Sequence, residues 1–196
     1  MIIFNSNEEF ILPDDSILDN IKNIKAPSKA NKLCGLNRPG HFDGVLTILN
    51  KFFNIINPNI LILGKKDYQQ FILVKDFIKD KNLNINTIGV ETIRERNGFA
   101  YSSRNTLLSN NNKSIASMLY KVLKDIELNK DVLSNDLLNT QIKYLTSNGF
   151  ELDYLAVCDT ESLEQSLDIC KKDLLVAIAA KLNNVRLIDN IVLTKL

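Results

Sequence analysis

Apolar residues recur along the chain at two periods, and the switches between them outline its elements. Phe42, Val45, Leu46, Leu49, Phe52, Phe53 and Ile56 return every three or four positions, which predicts a helix starting near His41 and ended by "NPN" at 57–59. "ILIL" (Ile60 to Leu63) does not alternate, and predicts a short strand buried on both faces of a parallel sheet. The next run places Phe71, Val74, Phe77 and Ile78 on one helical face, and "INTIGV" (Ile85 to Val90) reads as the following strand. Strand, helix and strand within about thirty residues predict a βαβ unit with a right-handed crossover. Asn97-Gly98 then marks a turn between two short extended runs.

After "SSRN" the texture changes. Helices are predicted over about Lys113 to Glu127 and Asp136 to Thr146, followed by the strands "FELDYLAV", "DLLVAIAAKL" and "VRLIDNIVL", the last two joined by Asn183-Asn184. Helices followed by a meander make an α+β module. The chain as a whole therefore reads as α/β, with a boundary near Asn105 dividing residues 1–105 from 106–196. At the start, "IIF" predicts a short strand, and the polar stretch after it a loop with one short helix. No internal repeat is visible.

Composition narrows the classes. A length of 196 residues suits one sizeable domain or two small ones, and 45% hydrophobic with 24% charged residues is ordinary for a soluble globular protein. A net charge of +1 removes any global argument for nucleic acid or an anionic membrane, so a basic site has to be local. No apolar run approaches the roughly 20 residues of a membrane span, and "MIIFNSNEEF" lacks the features of a signal peptide. Cys34, Cys158 and Cys170 form no CxxC pair, and a single histidine excludes a Cys/His metal cluster. Reduced thiols in a cytosolic protein are expected.

Three polar corners carry candidate chemistry. "GKKDYQQ" (Gly64 to Gln70) stands where the first strand hands over to a helix, the place where an open α/β sheet binds ligands against free N–H groups. There Gly64 permits close backbone approach, Lys66 suits a phosphate, and Asp67 suits either a helix cap or ribose hydroxyls. Gln69 and Gln70 offer donors and acceptors to a small hydroxy acid. The competing reading is a capped helix with solvated lysines. "YSSRN" (Tyr101 to Asn105) offers two hydroxyls and a guanidinium to a polyphosphate, or else an N-cap beside a surface arginine. "NRPGHF" (Asn37 to Phe42) places Arg38 and His41 around a Pro-Gly turn, and such a histidine serves structure or catalysis.

In order and spacing, "RPGHFDGVLTILNKFFNIINP", "GKKDYQQ", "ETIRERNGFAYSSRN" and "VRLIDN" resemble the pantothenate synthetase (pantoate–β-alanine ligase) family, from about Ile2 to the end of the chain. The resemblance implies a Rossmann-like nucleotide domain, here truncated, with a small C-terminal lid, in a cytoplasmic homodimer. It also implies a reaction: ATP, with Mg2+, activates pantoate as pantoyl adenylate with release of pyrophosphate, and the amine of β-alanine then displaces AMP. Carried onto this sequence, Gly64, Lys65, Lys66 and Asp67 hold ATP, with Ile93 and Tyr101 against the nucleotide. Ser102, Ser103 and Arg104 grip its phosphates, as a KMSKS-type loop does in related nucleotidyltransferases. Lys66 and Arg104 are the implied catalytic residues. Gln70 binds pantoate, and Val45 and Ile48 line an apolar wall against its methyl groups.

Two departures stand out. Lys65 occupies a position where the family commonly has an acidic residue. The family's histidine-rich, HIGH-like segment has no counterpart among these residues, which by resemblance lack roughly the first third of the enzyme. Three functions follow as expectations: a ligase whose N-terminal part is supplied elsewhere, for instance by a separate polypeptide; a non-catalytic remnant; or a nucleotide-binding, dimerising module.

Overall fold

The computed structural model describes residues 23–195; the strand expected at Ile2–Phe4 and the start of the polar stretch after it lie outside the described residues, and the described remainder of that stretch carries the 3-10 turns Ser28–Asn31 and Leu33–Gly35. Helix α1 (His41–Ile56) covers the span its periodicity predicts, buries Phe42, Leu46 and Phe53, and stops where Asn57 turns left-handed at φ 46°. Strand β1 (Ile60–Gly64), helix α2 (Tyr68–Asp80) and strand β2 (Asn86–Val90) complete the βαβ unit. The strands are parallel, in register from Ile60 opposite Asn86 to Gly64 opposite Val90.

Burial of β1 on both faces is not what the structure shows. Leu61 and Leu63 pack against a cluster of Leu46, Phe53, Val74, Phe77 and Ile78, whereas Ile60 and Ile62 are 56% and 62% exposed. α1 and α2 contribute that cluster and cover one face of a sheet with two strands among the described residues; Ile88 and Val90 of β2 are exposed beside Ile60 and Ile62 on the other. The unalternating sequence reports apolar side chains, not the layers that cover them.

The second half follows its pattern with one break. Helices α3 (Asn110–Ala116) and α4 (Met118–Leu128) replace the single predicted helix. Between them Ser117 donates its hydroxyl to the Ser114 carbonyl at 2.7 Å, a local bond that competes with continued helix. Helix α5 (Asn135–Ser147) is capped by Ser134, whose hydroxyl accepts the Leu137 N–H. Strands β3 (Glu151–Asp159), β4 (Leu174–Leu182) and β5 (Val185–Leu193) form an antiparallel sheet in the order β3-β4-β5. Asn183 and Asn184 both take positive φ, 46° and 64°, as a two-residue hairpin between right-twisted strands requires.

Alternation along β4 explains how the halves join. Val176, Ile178 and Ala180 enter the core built with Leu123 and Ile126 of α4 and Leu145 of α5. Leu175 and Ala177 point the other way, into a cluster with Leu33, against which Tyr68 at the start of α2 also packs. Phe99, from the turn after β2, reaches back into the α4–β4 core. The antiparallel sheet is thus a middle layer, with its own helices on one side and the βαβ half on the other.

Two glycines separate backbone cost from packing cost. Gly98 and Gly149 both sit at φ 86°, but a Cβ on Gly98 would lie 1.9 Å from the Tyr120 ring, while one on Gly149 would meet nothing within 4 Å. Gly149→Ala should cost about 1 kcal/mol for the left-handed backbone alone, and Gly98→Ala at least about 2 kcal/mol. Urea unfolding measures both. Equal losses would show that the Tyr120 ring moves aside freely.

Candidate functional site

A cavity of about 250 Å³ opens where the start of α2 faces strand β5. Its first wall is the predicted strand-to-helix corner. β1 ends at Gly64, Lys65–Asp67 make one 3-10 turn, and α2 begins at Tyr68. Asp67 occupies the cap position of α2, yet its side chain makes no capping hydrogen bond; instead it lines the cavity beside Lys66. Lys65 is on another course, paired with Glu91.

The two glutamines have separate duties. Gln69 is 5% exposed; its Nε2 donates to the Lys32 carbonyl at 2.7 Å and its Oε1 accepts the Cys34 N–H at 3.0 Å. It fastens the 3-10 turns Ser28–Asn31 and Leu33–Gly35 to α2, and its Nε2 also lies 3.3 and 3.4 Å from the Lys29 and Ala30 carbonyls, so its donors are spent on the backbone although it borders the cavity. Gln70 lines the cavity.

The second wall is "YSSRN". Ser102 caps the 3-10 turn Ser103–Leu107 by accepting the Arg104 N–H at 3.3 Å, so the capping alternative is realised. Ser102, Ser103 and Arg104 nevertheless line the cavity, and Arg104 reaches across to donate to the Arg186 carbonyl of β5 at 3.1 Å. The third corner brings Arg38 and His41 to the same space. Gly64, Ile93, Tyr101, Val45 and Ile48 do not line it. Ile93 and Tyr101 are exposed, joined by a Tyr101 N–H to Ile93 carbonyl bond of 3.0 Å; Val45 packs against Ala30, Phe42 and Leu73; Ile48 is 55% exposed.

The charge balance favours an anion. Among the described residues Arg94 is paired with Asp189 and Arg186 with Asp153, whereas Arg38, Lys66 and Arg104 have no carboxylate within ion-pair distance. His41 senses this field. Burial, then Arg38, Arg186 and Arg104, pull its pKa below 6.5, and Asp67 opposes them only in part. Two serine hydroxyls and three unpaired cations can hold a polyanion by charge-assisted hydrogen bonds.

Several lining groups carried no signal in the sequence pattern. Cys34 Sγ lies 2.9 Å from the Tyr154 hydroxyl and 3.6 Å from Arg186 Nη2, and burial lifts the Tyr154 phenol well above its ordinary range. Asn105 donates to the Ala100 carbonyl at 3.1 Å, steadying the backbone before the two serines. Asp189 and Asn190 line the cavity from β5; only their place in "VRLIDN" hinted at them.

The sequence model of the family described as Pantoate-beta-alanine ligase matches residues 1–192. A pantothenate synthetase of Methylobacillus flagellatus is 43% identical over 86% of this chain and 61% of its own length. The chain thus spans about three fifths of that curated relative. Among solved structures, pantothenate synthetase from Thermus thermophilus superposes with a TM-score of 0.80 at 31% identity, over 88% of this chain and 63% of that one. A pantoate-beta-alanine ligase from Francisella tularensis, complexed with beta-gamma ATP and beta-alanine, gives 0.68 at 32% identity, over 90% of this chain and 61% of that one.

One histidine makes the field directly measurable. In an untagged chain the His41 ring resonances should titrate below pH 6.5, and pyrophosphate should raise the midpoint, because a nearby anion favours the charged ring. The native state then binds fewer protons than the unfolded one, so stability from this group falls as pH drops through about 6.5. A midpoint at or above 6.5, unmoved by pyrophosphate, would show that neither burial nor Arg38, Arg186 and Arg104 act on the ring.

Proposed function

The chain belongs to the Pantoate-beta-alanine ligase family, and we propose that its cationic cavity binds ATP and pantoate for the adenylation step of pantothenate synthesis. The observation that carries this reading is the convergence of Lys66, Arg104 and Arg38, free of carboxylate partners among the described residues, with Ser102 and Ser103 beside the start of α2. The Francisella tularensis neighbour, complexed with beta-gamma ATP and beta-alanine, supports the nucleotide and the amine substrate of this reaction.

In this reading a pantoate carboxylate oxygen attacks the α-phosphorus of ATP, and pyrophosphate leaves with the electrons of the broken P–O bond. The neutral amine of β-alanine then attacks the acyl carbon, AMP leaves, and the nitrogen sheds a proton. Lys66 and Arg104 offset the charge that accumulates on the departing phosphates. Asp67, unspent as a cap, is suited to ribose hydroxyls, and Gln70 to the polar groups of pantoate. Catalysis is positioning and charge stabilisation, with no covalent enzyme intermediate. Among the described residues no group of three His, Cys, Asp or Glu side chains is placed to hold a metal, so Mg2+ would arrive on the triphosphate. The family's cytoplasmic, homodimeric setting belongs to the same reading.

A second reading concerns turnover. A single histidine and an exposed apolar face on β1 and β2 favour a chain that binds nucleotide but needs a further, histidine-bearing segment, such as a separate N-terminal polypeptide, to complete the reaction. Purified alone, these 196 residues should show no pantoate-dependent ATP–pyrophosphate exchange above background. Exchange at the rate of a longer relative would overturn this division of labour.

Binding is tested separately. Lys66→Ala and Arg104→Ala should each weaken ATP about tenfold in titration calorimetry, and wild-type affinity should fall with added salt. Unchanged affinity in both variants would return the two corners to a purely structural role.

A further inference from the structure

Asn190 lies on β5, yet its side chain serves the turn that presents Lys66. Its amide nitrogen carries two hydrogens and uses both: one goes to the Lys65 carbonyl at 3.0 Å, the other to the Lys66 carbonyl at 2.7 Å. Resting on the ATP-binding reading above, we propose that Asn190 is a positioning residue, setting from the second half of the chain the peptide planes of the phosphate-binding turn in the first half.

Planarity makes the grip effective. In a trans peptide the carbonyl of Lys65 fixes the N–H of Lys66 on the opposite side, and the carbonyl of Lys66 likewise fixes the N–H of Asp67. Holding two successive carbonyls therefore settles which way Lys66 and Asp67 face, and both line the cavity. A 3-10 turn of three residues between a strand and a helix has little packing of its own to do this, since it buries none of its residues.

The donor is itself immobilised. Asn190 is 8% exposed and opposite Ala177 in the sheet. Its N–H donates to Asp189 Oδ1 at 2.8 Å, and its carbonyl accepts Arg94 Nη2 at 3.1 Å. These contacts are independent of Lys65 and Lys66, so the amide is held out before any ligand arrives. A group held by its own neighbours positions another without a fresh entropic cost at binding.

The test uses the whole chain, with Asn190→Ala and Asn190→Asp. The aspartate variant keeps the shape, removes both donors when ionised and regains one when protonated. ATP affinity at pH 7.5 should fall about tenfold in each, the scale expected for losing two neutral hydrogen bonds. Relative to wild type at the same pH, Asn190→Asp should recover part of the loss near pH 5 while Asn190→Ala should not, a profile that general destabilisation would not produce. Millisecond hydrogen exchange should quicken at residues 65–68 and leave β4 unchanged in both variants. Unaltered ATP affinity in the variants, equal pH profiles, or faster exchange across β4 as well would overturn the proposal. If the wild-type chain binds no ATP, the ATP reading fails by itself; exchange then decides whether Asn190 orients the turn, and unchanged exchange at 65–68 overturns that too.

Discussion

The bidentate pair between Arg94 and Asp189 is the contact on which the geometry of both halves rests. Arg94 Nη1 and Nη2 lie 2.6 and 2.9 Å from the two carboxylate oxygens, and the same nitrogens donate to the carbonyls of Gly98 and Asn190, each at 3.1 Å. The guanidinium also lies over the Tyr120 ring, 4.1 Å from its centroid. One side chain thereby ties the exit of β2, the Asn-Gly turn, α4 and β5. Asp189 is 4% exposed, and burial keeps its carboxyl above the ordinary value although Arg94 pulls the other way. Such a pair gives little net stability over a well-packed apolar replacement, but losing one partner alone typically costs about 3–5 kcal/mol. Its consequence here is placement.

From that strut the two candidate phosphate corners acquire a fixed relation. The turn bearing Lys66 is held by Asn190, the neighbour of Asp189, and the segment bearing Ser102 and Arg104 follows the Arg94–Ala100 bridge. Arg104 then reaches the Arg186 carbonyl, on the same strand as Asp189 and Asn190. β5 is the common ruler. A strand of the second half thus also braces the strand-to-helix corner of the first.

Elements whose logic is local were legible in the sequence. The α1 period ended at Asn57, the Asn183-Asn184 hairpin and the Asn97-Gly98 turn all express backbone preferences of a few neighbouring residues. The candidate site was legible only in part. Lys66, Asp67, Gln70, Ser102, Ser103 and Arg104 do converge, but Lys65 turns to Glu91 and Gln69 is consumed by backbone groups of residues 32 and 34. Adjacent residues diverge by about 120° around the axis in the 3-10 turn and about 100° in the α-helix after it, so composition alone does not say which faces the ligand. Cys34, Tyr154 and Asn190 enter through contacts spanning more than a hundred residues, which no periodicity encodes. The exposed face of β1 and β2 has the same cause: alternation describes side chains, while burial depends on the layer laid over them.

A crystal structure of the chain with a nonhydrolysable ATP analogue would decide between these arrangements. The polyphosphate should lie against the side chains of Lys66, Ser103 and Arg104, with Asn190 still donating to the Lys65 and Lys66 carbonyls. Nucleotide seated instead in the outer depression between Lys65, Glu91, Tyr120 and Lys124, or bound with Asn190 swung away from the turn, would contradict it.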